Sequence, residues 1–157
     1  MPDAWLTALQ GSDLALAPRF SRWGYAFVNT AHVLGIALLV GATIPLDLRL
    51  LGVWSSIERA ALVRVLAPVA AAGLVLAATM GFLLFSVRAV DYAALTLFRI
   101  KLLLILIGAG STLALHCLYG RSLETAPRRH LARAAMLSMT CWIGALIAGR
   151  MIAFVID

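Results

Sequence analysis

Long apolar runs dominate the chain, and its polar positions fall almost entirely between them. Four windows carry no formal charge or nearly none: 25–46, 65–87, 102–120 and 134–156, the last broken only by Arg150. Each is long enough to cross ~30 Å of hydrocarbon at ~1.5 Å of rise per residue. Consecutive apolar residues such as LLLILIG show no period-2 alternation, and lipid leaves open strand edges unsatisfied, so the spans are expected to be helical. Connections of roughly 18, 14 and 13 residues make sequential spans antiparallel neighbours. The pattern predicts an all-α, integral-membrane four-helix bundle forming a single membrane domain over 1–157. Ahead of the first span, Pro2 and Asp3 open a short segment with Trp5, Leu6 and Leu9 apolar, which reads as an interfacial helix ending at Gly11.

Composition narrows the class further. The chain is 63% apolar and 13% charged, with a mean hydropathy of +0.99, far from the soluble average of ~45–50% apolar and ~25% charged. That excludes a water-soluble enzyme, a disordered regulator and a disulfide-stapled secreted domain. Thirteen Lys+Arg against seven Asp+Glu give a net charge of +6. Because these cations sit between apolar runs, they read as topology signals and lipid-headgroup contacts, not as a nucleic-acid surface. Cys117 and Cys141 lie inside apolar stretches without metal-ligand spacing. The N-terminus lacks the charge and cleavage pattern of a secretory signal, so the first span is expected to be retained.

An even number of spans puts both termini on one face, side A, with the first and third loops on side B. Arg49, Arg59, Arg64, Arg121, Arg128, Arg129 and Arg133 fall on side B, against Arg19, Arg22, Arg88, Arg99 and Lys101 on side A, a bias of seven to five, or seven to six with Arg150 snorkelling towards side A. The positive-inside rule then predicts a multi-pass protein with side B cytoplasmic and both termini periplasmic.

Candidate chemistry rests on polar groups that the bilayer disfavours by at least ~2.5 kcal/mol each. His32 sits in the first span, about 10 Å below side A, with Asn29, Gly35 and Thr43 near its helical stripe, which is expected to face the bundle interior. A neutral imidazole there can ligate haem iron or copper, bind a quinone oxygen, or form a structural hydrogen bond. His116 lies near the opposite end of the parallel third span, offset from His32 by about 14 Å along the normal, which argues against one haem shared by both. Met80 lies near the depth of His32, where a His/Met pair suits haem or Cu(I), although methionine is also ordinary core filler. Lys101 and Arg150, with Arg99, gather towards side A, where a haem propionate, a quinone headgroup or an anionic lipid would suit them; snorkelling to the interface is the alternative. On side B, His130 faces His116 across the third loop, and Asp47 is expected to neutralise an arginine of that loop. Trp142 is the one tryptophan inside a span, placed to pack or to flank a flat cofactor.

With those residues in view, HVLGIALLVG followed by DLRLLG (32–41 and 47–52), FRIKLLLIL (98–106), LALHCL (113–118) and WIGALIAGRMIAF (142–154) resemble a family of small bacterial four-helix inner-membrane proteins classed as a domain of unknown function. That family is distantly similar to the CopD-like copper-resistance membrane domain and to b-type cytochrome bundles. The resemblance implies that His32, Lys101, His116 and Arg150 occupy its marked positions; it implies no activity. This chain has Gly110 and Ser111 where the family pattern leads one to expect an Asn.

Two readings follow. In the first, the protein is an electron-transfer protein binding haem b, or copper as the alternative, through His32, with His116 as a separate further candidate and quinone as a potential partner. In the second, it is a cofactor-free structural or accessory subunit of a homo-oligomer or larger membrane complex. No Ser/His/Asp spacing, paired carboxylates or phosphate-cradling loop points to an enzyme. A transporter built on four helices would need oligomerisation to make a path.

Overall fold

Every apolar run folds into a helix longer than the run itself. The structure, a computed structural model, describes residues 3–13, 15–16, 22–120, 123 and 125–155. It contains α1 (Asp3–Gln10), α2 (Arg22–Leu51), α3 (Arg59–Val87), α4 (Ala89–Ala94), α5 (Thr96–Tyr119) and α6 (Arg128–Val155). The four long helices α2, α3, α5 and α6 are long and apolar enough to cross a membrane. They pack together as an all-α bundle. Three of the hydropathy windows begin only after Arg64, Lys101 and Arg133, but backbone hydrogen bonding continues through these residues. Their long side chains can reach the headgroups while the helix proceeds.

The loops close by recognisable local devices. At the end of α2, Gly52 takes φ +106°; its N–H donates to Arg49 O, and that of Val53 donates to Leu48 O, a Schellman ending that consumes the last carbonyls. Arg49 Nε then donates to Ile57 O at 2.7 Å, tying the first loop to the helix it leaves. An added Cβ at Gly52 would lie 3.1 Å from the Arg128 guanidinium at the start of α6, so the first and third loops meet on side B.

On side A the short α4 makes the corner between α3 and α5. Phe85 and Phe98 stack there at 5.2 Å with Tyr92 beside both, and loss of solvent pushes the Tyr92 phenol above its ordinary value. α1 docks on α4 and α3, burying Leu6, and the Gln10 side chain accepts from Val90 N–H at 3.3 Å. The expected N-terminal helix is thus held by tertiary packing, which a helix of eight residues requires.

Packing among the long helices is uneven. α2 packs on α3 and on α6, and α6 packs on α5, but no Cα of α3 comes within 8 Å of a Cα of α5. The α2–α3 pair crosses at two facing glycines. A Cβ added at Gly35 would stand 2.5 Å from Ala77 N, and one added at Gly73 would stand 2.5 Å from Leu39 N. Small residues let two backbones touch, which is how helices associate where lipid supplies no hydrophobic drive. On the other side, Gly108 of α5 lies under Cys141 and Trp142 of α6. Towards side B the gaps are filled by Val63, Leu115, Leu123, Ala126 and Leu131.

Candidate functional site: an intramembrane cavity

The two close-packed pairs, α2 with α3 and α5 with α6, leave a cavity of about 350 Å³ between them, lined by all four long helices. Its wall is mostly alanine, leucine and valine, with a polar patch contributed by α2, α5 and α6. Three of these residues carry a buried polar atom with no hydrogen-bond partner among the described residues: Asp47 Oδ2, His116 Nε2 and Trp142 Nε1. Such atoms are uncommon, since an unpaired buried donor or acceptor costs about 1–3 kcal/mol.

Each polar residue comes with a neighbour four positions earlier on the same helix. Thr43 precedes Asp47, Thr112 precedes His116 and Ser138 precedes Trp142, and all six line the cavity. The i, i+4 spacing stacks each pair on one helical face. The Thr43 hydroxyl donates to Leu39 O at 2.9 Å, and the Thr112 hydroxyl donates to Gly108 O at 3.1 Å. The Ser138 hydroxyl bonds to the Asp47 carboxyl group. These hydroxyls are therefore engaged, and the unpaired capacity lies on Asp47, His116 and Trp142.

The protonation pattern of His116 follows from its partner. Nδ1 lies 2.9 Å from Thr112 O; a carbonyl oxygen only accepts, so Nδ1 carries the proton and Nε2 of the neutral ring is an acceptor. The site thus offers two acceptors, Asp47 Oδ2 and His116 Nε2, and one donor, Trp142 Nε1–H. A carboxyl group in apolar surroundings needs a proton, a cation or a hydrogen-bond donor to balance it.

His32 lies outside this cavity. Its Nδ1 is 2.8 Å from Ala77 O across the α2–α3 interface, and its ring sits where a Cβ on Gly81 would come within 2.8 Å of Cε1. Nδ1 is again the donor, leaving Nε2 as the free nitrogen. Asp47, which shares the cavity with His116, is roughly 22 Å along α2 from His32 by helical rise, so the two imidazoles stand at different levels.

Other expected site residues distribute as follows. Lys101 lies within electrostatic reach of His32, its ammonium running along Gly149. Arg150 is exposed and stacks on Phe154 at 4.9 Å. Met80 is half-buried beside Gly81. Asn29 is exposed, while Gly35 and Thr43 are buried. Positions three before and three after His32 flank it by roughly 60° on opposite sides. The Gly35 flank meets α3, and the Asn29 flank turns outward.

Two side B expectations change. Asp47 forms no ion pair with Arg128, Arg129 or Arg133 and turns into the bundle towards Ser138; Arg121 of the same loop lies outside the described residues. His130 pairs with Tyr119, whose hydroxyl lies 2.6 Å from its Nδ1. No single span connects Asp47 with Ser138. The repeated i, i+4 polar pairs on three helices were the available signal that they belong together.

Among the described residues, no group of three or more His, Cys, Asp or Glu side chains could hold a metal ion. Comparison with known proteins finds no matching family model, no matching curated protein and no matching solved structure.

Proposed function

We propose that this integral membrane protein takes part in electron transfer by binding an isoprenoid quinone or quinol, with the ring seated in the cavity against Asp47, His116 and Trp142. The observation that carries the reading is the set of three unpaired polar atoms in one apolar chamber. A quinol ring offers hydroxyls that donate to Asp47 Oδ2 and His116 Nε2, and its oxygen accepts from Trp142 Nε1–H. An apolar chamber with a few convergent polar groups is the usual form of a small-molecule site, and its volume lies within the usual range of ~300–1,000 Å³. Buried water could satisfy the same atoms, so the test must detect the ring itself.

Tryptophan fluorescence supplies that test, because a quinone bound beside Trp142 quenches it. A tail-less benzoquinone titrated into the purified protein is expected to quench saturably. Asp47→Asn and His116→Ala are each expected to weaken binding by roughly tenfold, the value of a hydrogen bond to a charged or strongly polar group. Linear, unsaturable quenching that both variants leave unchanged overturns the reading.

Haem b at His32 is the second reading, favoured by one observation. A ligating imidazole commonly donates its other nitrogen to a carbonyl, as His32 does to Ala77, and Lys101 lies nearby to face a propionate. A bound haem would supply one-electron chemistry. The residues offer a single axial nitrogen at this level, and the α2–α3 backbones touch close by at Gly35 and Ala77, so the arrangement does not fit a haem shared by His32 and His116. Copper, the alternative metal, would be held by His32 with Met80, which is half-buried beside Gly81. A Soret band lost in His32→Ala would establish haem at that residue. Absence of haem, metal and saturable quinone binding alike would leave a cofactor-free accessory subunit.

A further inference from the structure

We infer that the guest's apolar tail leaves the cavity between α3 and α5, and that the cavity exchanges its occupant with the bilayer through this seam. The inference rests on the quinone reading above and adds the route and the pose. α3 and α5 are the adjacent long helices that do not pack on one another. Along the seam the lining residues are small on the α3 side, Ala67, Ala70 and Ala71, and on α5 they include Ala109 and Leu113. Leu113 is 65% exposed although it lines the cavity, so the chamber reaches the lipid-facing surface there.

Two other directions are closed by packed side chains and backbone. Towards side B, Leu123 is only 1% exposed and packs with Val63, Leu115 and Leu131. Towards side A, the Gly35–Gly73 crossing brings the α2 and α3 backbones together, and Trp142 covers Gly108. Polarity gives the guest its direction: the polar atoms stand on α2, α5 and α6, whereas α3 contributes Val63, Ala67, Ala70, Ala71 and Leu74. A ring held by the polar wall therefore points its substituent towards α3 and the seam. At about 350 Å³ the chamber lies near the lower bound of ligand pockets, large enough for a ring but not for a polyisoprenoid chain.

The test uses full-length protein in phosphatidylcholine nanodiscs, with Trp5, Trp23 and Trp54 replaced by Phe so that Trp142 is the sole tryptophan. The probes are a dimethoxy-methyl-benzoquinone without a tail and the same ring bearing a decyl chain. Ala70→Phe and Ala109→Phe fill the seam from either side. Ala72→Phe, at an exposed position of α3 outside the cavity lining, is the control, and circular dichroism verifies folding of each variant. Parent and control are expected to bind both probes. The seam variants are expected to keep the tail-less ring within about twofold and to lose about tenfold or more in affinity for the decyl quinone.

Unchanged affinity for the decyl quinone in both seam variants overturns the route, and so does an equal loss of both probes, which would make the seam part of the ring site. Failure of the parent to bind either probe overturns the quinone reading and the route with it. Brominated acyl chains that quench Trp142 in a seam-dependent manner, without quinone binding, would assign the seam to a phospholipid tail instead. If one Phe variant fails to fold, the other, or the milder Ala70→Val, still decides the matter.

Discussion

His32 of α2 and Gly81 of α3 fit as ring and slot: the imidazole lies where a Cβ on residue 81 would be 2.8 Å from Cε1, while Nδ1 is fastened to Ala77 O at 2.8 Å. The hydrogen bond holds the ring over Gly81, where the absent side chain leaves it room. Lower along the same interface, Gly35 and Gly73 bring the two backbones together.

Three glycine substitutions should therefore differ in a set order. Gly81→Ala forces the His32 ring to shift against its hydrogen bond and is expected to destabilise by about 1–3 kcal/mol, the range for overpacking. Gly35→Ala meets backbone atoms of Ala77 that cannot rotate away, so its cost is expected to be about 3 kcal/mol or more. Gly41 has nothing within 4 Å of an added Cβ, and Gly41→Ala should be neutral or stabilising by up to about 1 kcal/mol through helix propensity. Unfolding in detergent micelles measures all three; equal effects at Gly35 and Gly41 would contradict the glycine-mediated crossing.

Asp47 yields a prediction in which stability and binding move oppositely. Its Oδ2 is buried without a partner in a chamber whose wall is largely apolar. Replacing an unsatisfied polar group by an apolar one of similar shape is often neutral or favourable. Asp47→Leu combined with Ser138→Ala, which removes both partners of the Ser138–Asp47 hydrogen bond, is expected to raise stability by about 1–2 kcal/mol while abolishing saturable quenching of Trp142 by quinone. A loss of stability on the scale of a core truncation would show that the carboxyl group serves the fold instead.

Orientation can be tested independently of any ligand. The first and third loops share one side, as Gly52 and Arg128 show by their proximity, and these loops carry the arginine excess. A periplasm-active reporter fused after Asp157 should be active and a cytoplasm-active reporter at the same position inactive. The reverse pattern would invert the protein without altering its bundle.

Much of the architecture was legible because each span is a local property. The windows 25–46 and 65–87 are helical throughout, 102–120 as far as Tyr119 and 134–156 as far as Val155, the last described residue, with each helix extended at charged ends that a hydropathy window excludes. The α1 helix was foreshadowed by Pro2, Asp3 and the apolar residues that follow. The short α4 was not, since Ala89–Ala94 carries little periodicity and is held by its position between α3 and α5. Candidate chemistry was less legible. Depth along each helix correctly separated His32 from His116, yet depth says nothing of rotation. Read along the sequence, Asp47 belongs with an arginine and Trp142 with packing or a flat cofactor, although both line one chamber with Ser138.

By itself, the sequence determined that this chain is a four-helix membrane bundle, because hydrocarbon obliges each apolar segment to satisfy its own backbone and only a helix does so alone. Only the tertiary structure decided which polar residues meet. The glycine crossing of α2 on α3 and the seating of α6 over Gly108 set the rotations of the helices. Those rotations turn Asp47, His116 and Trp142 inward, turn Asn29 outward, and hold α3 and α5 apart around the cavity. Such relations depend on atoms brought together from distant parts of the chain, and no single segment carries them.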